Sequence, residues 1–496
     1  MGAHIYPVAE TEMKNSTYDV KVNGTPVKTN AARVSAYPFN RRWPGHQRQL
    51  EQTEIISFLS FETDRNTEIE IKVNKSFERA ELRPKNTDAE MRVENGIIKI
   101  HLNKPQYFTV EPFGRENALH IFADPIADYK KEGEIVYFGA GEHDAGIIEL
   151  KSNQTLFIDE GAVVYSGVHA CDADNIKIIG RGILDNSRIK EKILFEANAE
   201  NNFAAVNNAE RTDTIDLEYC TNVTVDGITI RDSLQYNIRP ICCRGLEIRN
   251  VKIIGCWRYN SDGIDMHNCE NVHISDCFIR TYDDSICIKG FDWQQSGSGV
   301  SEHDGKGCDV FKNVIAENCV IWNDWGKCLE IGAETRVEEI ADIHFKNCSI
   351  IHVTGPVLDC MNVDYAHVHD ITYDNITVEY DSVIPQPLLQ GTDSENYYEM
   401  KPDKDYAPHL ILLSVEFHEE YSDGGTRRGK NNGFYFNNIR LYGRQKPTMY
   451  FHGFDAEHGC RNIHISYLYV NDKKIACADE ISIEKMKGQS LILCKP

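Results

Sequence analysis

The chain lacks several features that would each have named a class of protein. Residues 1–170 contain no cysteine, and all 16 cysteines lie from Cys171 onward. No two are spaced as CxxC, which argues against a structural zinc site. No apolar stretch of about eighteen residues occurs, so no spanning helix is expected. The segment Met1-Gly2-Ala3-His4-Ile5-Tyr6 has no basic region followed by an apolar run, and no leader is visible. Positive charge is scarce: 53 Lys and Arg stand against 76 Asp and Glu, a formal charge of -23. That balance argues against nucleic acid, because phosphate binding needs a basic face. It also makes a highly anionic polymer a less natural ligand.

What is present fits a globular protein. Hydrophobic residues make up 41% and aromatics 10% of 496 residues, too many residues for one ordinary compact core. Two domains, or a solenoid with an appendage, are expected. Many cysteines sit beside β-type runs, as in Asn268-Cys269, Asp276-Cys277, Asn318-Cys319 and Asn347-Cys348. Small buried thiols and a cytoplasmic setting follow, an exported protein being one whose leader has been removed.

Two textures divide the chain at about residue 125. Before it, Glu54–Phe61, Glu68–Val73, Gly96–Leu102 and Tyr107–Val110 are short β-type runs without a period, which predicts a small antiparallel β-sandwich over 1–125. Beyond it a strand triplet recurs: Ile228–Ile230, Val251–Ile253, Cys277–Ile279, Cys319–Ile321, Cys348–Ile350, Ile376–Val378, Ile439–Leu441 and Leu468–Val470. Steps between third residues are 23, 26, 42, 29, 28, 63 and 29. Strands too short to bury a face alone, repeated at this period, predict stacked coils over 126–496. The two long steps place insertions at Phe291–Gly307 and Asp381–Asn432, where loops commonly frame a cleft.

Asn260-Ser261-Asp262 and Asp283-Asp284 lie one coil apart, Asp262 and Asp283 being 21 residues from each other. Stacked coils are about 4.8 Å apart, so these carboxylates should lie almost directly above one another. Neighbouring strand residues point to opposite faces, so the backbone must bend for Asp283 and Asp284 both to reach a groove. Three carboxylates in one patch raise at least one pKa, as acid catalysis requires. On spacing alone, a calcium site or a solvated acidic turn fits equally.

These motifs resemble the Asn-Thr-Asp and Asp-Asp segments of the polygalacturonase family, glycoside hydrolase family 28. Gly180-Arg181-Gly182-Ile183-Leu184-Asp185 is similar to its Gly-x-Gly-x-Ile-Asp segment, and Asp283–Lys289 to its Asp-Asp-Cys-Ile-x-Ile-Lys run. The related dextranase and isopullulanase family, number 49, shares the three aspartates and an N-terminal β-sandwich. The resemblance implies an all-β, right-handed parallel β-helix and an inverting hydrolase needing no cofactor or metal. By it Asp283 is the general acid, while Asp262 and Asp284 position and deprotonate water.

The chain departs from that family at two places. Lys327, within Asp324–Gly332, stands where a Gly-His-Gly histidine would. Val357-Leu358-Asp359 falls where an Arg-Ile-Lys clamp would hold a galacturonate carboxylate, and an acidic residue beside a uronate repels it. A neutral, dextranase-like glycan is therefore preferred, galacturonan being the alternative, with Arg239, Lys289, Lys327 or Arg336 as substitute clamps. Candidate substrate contacts are Lys289, Lys327, Glu330, Asp359, Arg239, Trp293, Trp325 and His267. Trp257 is a weaker one, and Asp265 is expected to point to the interior as support. His267, His273, His303, His344, His352, His367 and His369 show no metal-type spacing. Two rivals remain: a calcium-dependent polysaccharide lyase, which needs a uronate and a strong base, and a non-catalytic carbohydrate-binding solenoid, which has no reason to keep three carboxylates at this spacing.

Overall fold

The recurring triplets stack in register. The computed structural model describes residues 2–36, 53–130, 133–189, 213–258, 260–291, 308–380, 408–418, 421–422, 427–443, 447–476, 480–485 and 491–493. Ile230 pairs with Ile253, Ile253 with Ile279, and the row continues through Ile321, Ile350, Val378, Leu441 and Val470. All but Val470 are buried in one continuous core, against which Val470 packs. A strand this short buries too little apolar surface to stand alone and depends on the coils above and below. Thirty strands, from Glu134–Phe138 to Leu491–Leu493, form one sheet system in which a strand chiefly pairs with the third one after it. The result is a right-handed parallel β-helix with three strands per coil.

Asparagine turns the corners. Asn175, Asn222, Asn347, Asn375 and Asn438 adopt φ between 52° (Asn438) and 57° (Asn175), a conformation Asn tolerates because its amide bonds locally. Their side chains ladder from coil to coil: Asn222 Nδ2 donates to Asn175 at 2.6 Å, and Asn375 to Asn347 at 2.7 Å. The described cysteines lie within this stack as thiols, and all except Cys171 are buried. Thiol titration of the denatured, unreduced protein should accordingly find nearly all 16 cysteines of the chain reactive. A majority of bridged cysteines would instead point to an exported protein.

Ahead of the helix, two sheets face each other. One holds Thr53–Glu62, Gln106–Arg115 and Leu119–Asp124 among six strands; the other holds Tyr18–Val22, Thr67–Val73 and Ile97–Leu102 among five. Phe61, Phe108 and Ile121 from the first meet Ile71 and Ile100 from the second in a shared core. The pairing is antiparallel except that Leu119–Asp124 runs parallel to Thr53–Glu62. The wholly antiparallel expectation fails there, because the hairpin after Arg115 returns the chain between Gln106–Arg115 and Thr53–Glu62.

Val34, Phe58 and Phe122 of the first sheet pack on Ile254, Phe278 and Trp322 of the helix. Buried ion pairs border this contact: Lys252 with Asp124 at 3.0 Å, Arg231 with Glu12 at 2.8 Å, Arg83 with Glu379 at 2.5 Å, and Arg115 with Asp324.

Of the expected insertions, 292–307 and 381–407 lie outside the described residues. The second is shorter than the sequence suggests, since His409–Val415 within it is a helix strand paired with Leu358–Asn362. No helix among the described residues is long and apolar enough to cross a membrane.

Candidate active site

The site grows out of one face of the helix, built from Ile215–Glu218, Ile238–Ile241, Ile264–His267, Ile286–Gly290, Leu329–Thr335 and Leu358–Asn362. Alternation puts Ile264, Met266, Ile286, Ile288, Leu329 and Ile331 into the core. Their neighbours Asp265, His267, Cys287, Lys289, Glu330 and Asp359 face the other way. Asp265 pairs in register with Cys287, Cys287 with Glu330, and Glu330 with Asp359, a polar row along the outer face. Asp265 thus does not point to the interior as expected: it shares the face of Lys289 and supports the site from there.

Asp262 precedes Ile264–His267, and Asp283-Asp284 occupy the bend between Phe278–Thr281 and Ile286–Gly290. Gly263 N–H donates to the Asp284 carbonyl at 2.8 Å, and Ile264 pairs with Ile286. Asp262 therefore lies beside Asp284, one residue off the expected register with Asp283. The bend is held by side chains that sequence reasoning missed. Thr281 Oγ1 donates to the Asp283 carbonyl at 2.7 Å, and Asn323 Nδ2 donates to the same oxygen at 2.6 Å. Gly326 closes over the pair: a Cβ there would stand 2.5 Å from Asp284 N and 2.6 Å from Asp283 Oδ1.

Four carboxylates surround one cation. Lys289 Nζ lies 3.1 Å from Asp265, 3.6 Å from Asp262, and 4.0 Å from both Asp284 and Glu334. Burial disfavours that charge, but Asp265 and its neighbours outweigh it and hold the ammonium well above the usual lysine range. Burial also acts on Asp265, yet Lys289 and His267 keep it below the usual carboxylate range. Asp262 and Asp283 behave oppositely. Burial first, then Asp283, raises Asp262 despite Lys289. Burial first, then Asp284, raises Asp283 well above the ordinary value. Asp284 Oδ1 accepts the Lys327 N–H at 2.9 Å, and Asp283 Oδ1 accepts the Asp284 N–H at 3.0 Å.

The remaining candidates divide. Lys327 pairs with Glu330 and lies 3.1 Å from Asp359. Burial lifts Asp359 to about 6 even though Lys327 opposes it. Arg239 is bound by Asp213 at 2.8 Å and Asp216 at 3.4 Å, and Arg336 by Asp364 at 3.1 Å. His267 sits against Asp265 at 3.2 Å and over Phe291, 4.7 Å between rings. Trp325 packs on Tyr282 at 5.6 Å beside the aspartate bend. Trp257 donates to Asp232 at 2.8 Å, away from the aspartate cluster. Trp293 lies outside the described residues. Among the described residues, two groups have ligand atoms close enough for a cation, Asp284 with Cys287 and Glu330, and His169 with Asp216 and Glu218. In the first, Lys327 already neutralises Glu330.

The model for glycosyl hydrolases family 28 matches residues 145–396, just over half of the chain, including all three aspartates. The chain belongs to that family. Among curated relatives, a probable polygalacturonase of Vitis vinifera is 24% identical over 204 residues, covering 36% of this chain and 41% of that protein. A polygalacturonase of Gossypium barbadense is 25% identical over 226 residues, covering 43% and 53%. The chain thus spans about half the length of these family 28 relatives. Among solved structures, Dex49A from Penicillium minioluteum has a TM-score of 0.57 at 14% identity, covering 99% of this chain and 89% of that one. A hyperthermoactive exopolygalacturonase from Thermotoga maritima has a TM-score of 0.52 at 17% identity, covering 72% and 83%. Both share the fold.

Proposed function

We propose that this family 28 member hydrolyses a glycosidic bond with inversion of configuration, Asp283 being the acid and Asp284 with Asp262 the base pair. The observation that carries the assignment is the position of Lys289, within reach of Asp262 and Asp284, beside Asp283 pushed upward by burial. Asp283 gives its proton to the glycosidic oxygen as that bond breaks. Water attacks the anomeric carbon from the opposite face, and its proton passes to Asp284. A single displacement gives a product of opposite anomeric configuration and no glycosyl-enzyme.

The substrate we favour is a neutral glycan. Lys289, Lys327, Arg239 and Arg336, the substitute clamps for a uronate, are each committed to a carboxylate of the protein. A uronate would have to compete with those pairs, whereas a neutral hydroxyl can donate to Asp359 or Glu330. The curated relatives, named polygalacturonases, favour the second reading, a galacturonan.

Reducing-end release across neutral and uronic glycans decides between the two. The expected result is faster turnover of a neutral glycan, and loss of it on Asp359→Ala; polygalacturonate as the best substrate would overturn the preference. Time-resolved NMR of the first product should show inversion, and retention would rule the mechanism out. An unsaturated, ultraviolet-absorbing product would replace hydrolysis by a lyase reaction.

A further inference from the structure

We infer that His169, Asp216 and Glu218 form a binding site for a divalent transition-metal cation of the zinc or manganese type. The three lie further up the outer face that carries the aspartate cluster. His169 pairs in register with Glu149 on one side and Asp216 on the other, and Asp216 with Arg239. The sequence conceals the group because 47 residues separate His169 from Asp216, a distance the coil stacking removes.

One ligand atom from each of the three residues lies within 4.8 Å of the other two. All three are buried, at 3%, 1% and 0% exposure. His169 Nδ1 and Glu149 Oε2 are 2.6 Å apart, and a neutral ring donating there turns the Nε2 lone pair to the acidic side. A carboxylate holding the far nitrogen of an imidazole is the usual support of a metal ligand. Nε2 stands 3.9 Å from Glu218 Oε1, too far for a hydrogen bond. Two ligands of one ion, each at about 2.0–2.2 Å, are separated by roughly 3–4 Å.

A second observation points to a missing positive charge. Asp216 Oδ2 is buried without a hydrogen-bond partner among the described residues, while Oδ1 takes the Arg239 guanidinium at 3.4 Å. Asp213 and Asp216 share the Arg239 guanidinium, at 2.8 Å and 3.4 Å. The imidazole selects the metal class, since calcium and magnesium take oxygen ligands. The ion would tie the strand Ala162–Cys171 to Ile215–Glu218, whatever the substrate.

The test uses the full chain, stripped with chelator and titrated with Zn²⁺, Mn²⁺ and Co²⁺. One equivalent of Zn²⁺ per chain is expected, with a rise in Tm that grows with metal concentration. Glu218→Gln should abolish it. Glu149→Gln, at a side chain 57% exposed, should fold normally and weaken binding by about 10–100-fold. Bound Co²⁺ should show visible d–d absorption without a sulfur charge-transfer band. Failure of the wild-type chain to bind stoichiometric metal overturns the proposal. So does unchanged affinity in Glu149→Gln, or a sulfur band removed by Cys287→Ser, which would place the ion at Asp284, Cys287 and Glu330 instead.

Discussion

Asp283→Asn should lower kcat by roughly 10²–10⁴-fold while leaving KM nearly unchanged, because acid catalysis contributes on that scale and an amide cannot give up a proton to the leaving oxygen. Asn keeps the shape of the side chain and can still meet the Asp284 N–H, so the bend should survive. Its thermal stability should not fall. A carboxyl whose folded-state pKa is raised costs stability as pH rises past its unfolded value, and the amide removes that cost. Wild-type kcat/KM should fall only as pH rises through the raised Asp283 value, above the usual carboxylate range. In the variant that alkaline limb should vanish. A substrate with a leaving group that needs no protonation should recover much of the lost rate. Near wild-type kcat, or no recovery with such a substrate, would take the acid role away from Asp283.

Lys289→Met should cost about 3–5 kcal/mol of folding stability at neutral pH, since it removes the buried cation that Asp262, Asp265 and Asp284 share. The pH dependence gives the sharper reading. In the wild type, Asp265 is held below its unfolded pKa, so the stability it contributes is present above that value and is lost as pH falls through the folded one. Without Lys289 the same carboxyl, buried among like charges, should titrate above its unfolded value. The folded state then binds more protons than the unfolded state, and stability should rise as pH falls from neutral towards the carboxylate range. Denaturant unfolding at several pH values checks the sign. A variant as stable as wild type, or one that weakens further on mild acidification, would show that Lys289 does not organise the cluster.

The readable part of this protein was what a period carries. The third residue of every triplet was identifiable from sequence and stacks in one row, because an apolar strand too short to stand alone leaves its spacing in the chain. The Asp283-Asp284 pair was equally legible, two acids at a corner where a strand cannot aim both the same way. What the sequence hid depends on quantities that vary from coil to coil. Coil length differs, so the backbone register sets Asp262 opposite Asp284, one residue from Asp283. Parity after a turn decides which way a residue faces, which is how Asp265 came to share the outer face with Lys289. Asn323 gave no signal, being an ordinary amide until the neighbouring coil lies against it. Lys327, Glu330 and Asp359 read as three separate substrate contacts, while their mutual pairing arises across two coils.

The first N-terminal sheet touches helix strands from Val163 to Ile351, one side of the successive coils that end in the aspartate bend. A solenoid held only by neighbour-to-neighbour bonds is a soft spring: it can stretch, twist and fray at low cost per coil. Here Asp262 belongs to one turn of that spring and Asp283 with Asp284 to the next, so any extension changes the distance on which the chemistry depends. Arg115, reaching from the sheet to Asp324 just before Gly326, fastens the turn that closes over the aspartates. The sandwich thereby acts as a splint, and the spacing of the aspartate cluster inherits the stiffness of the sheet beside it.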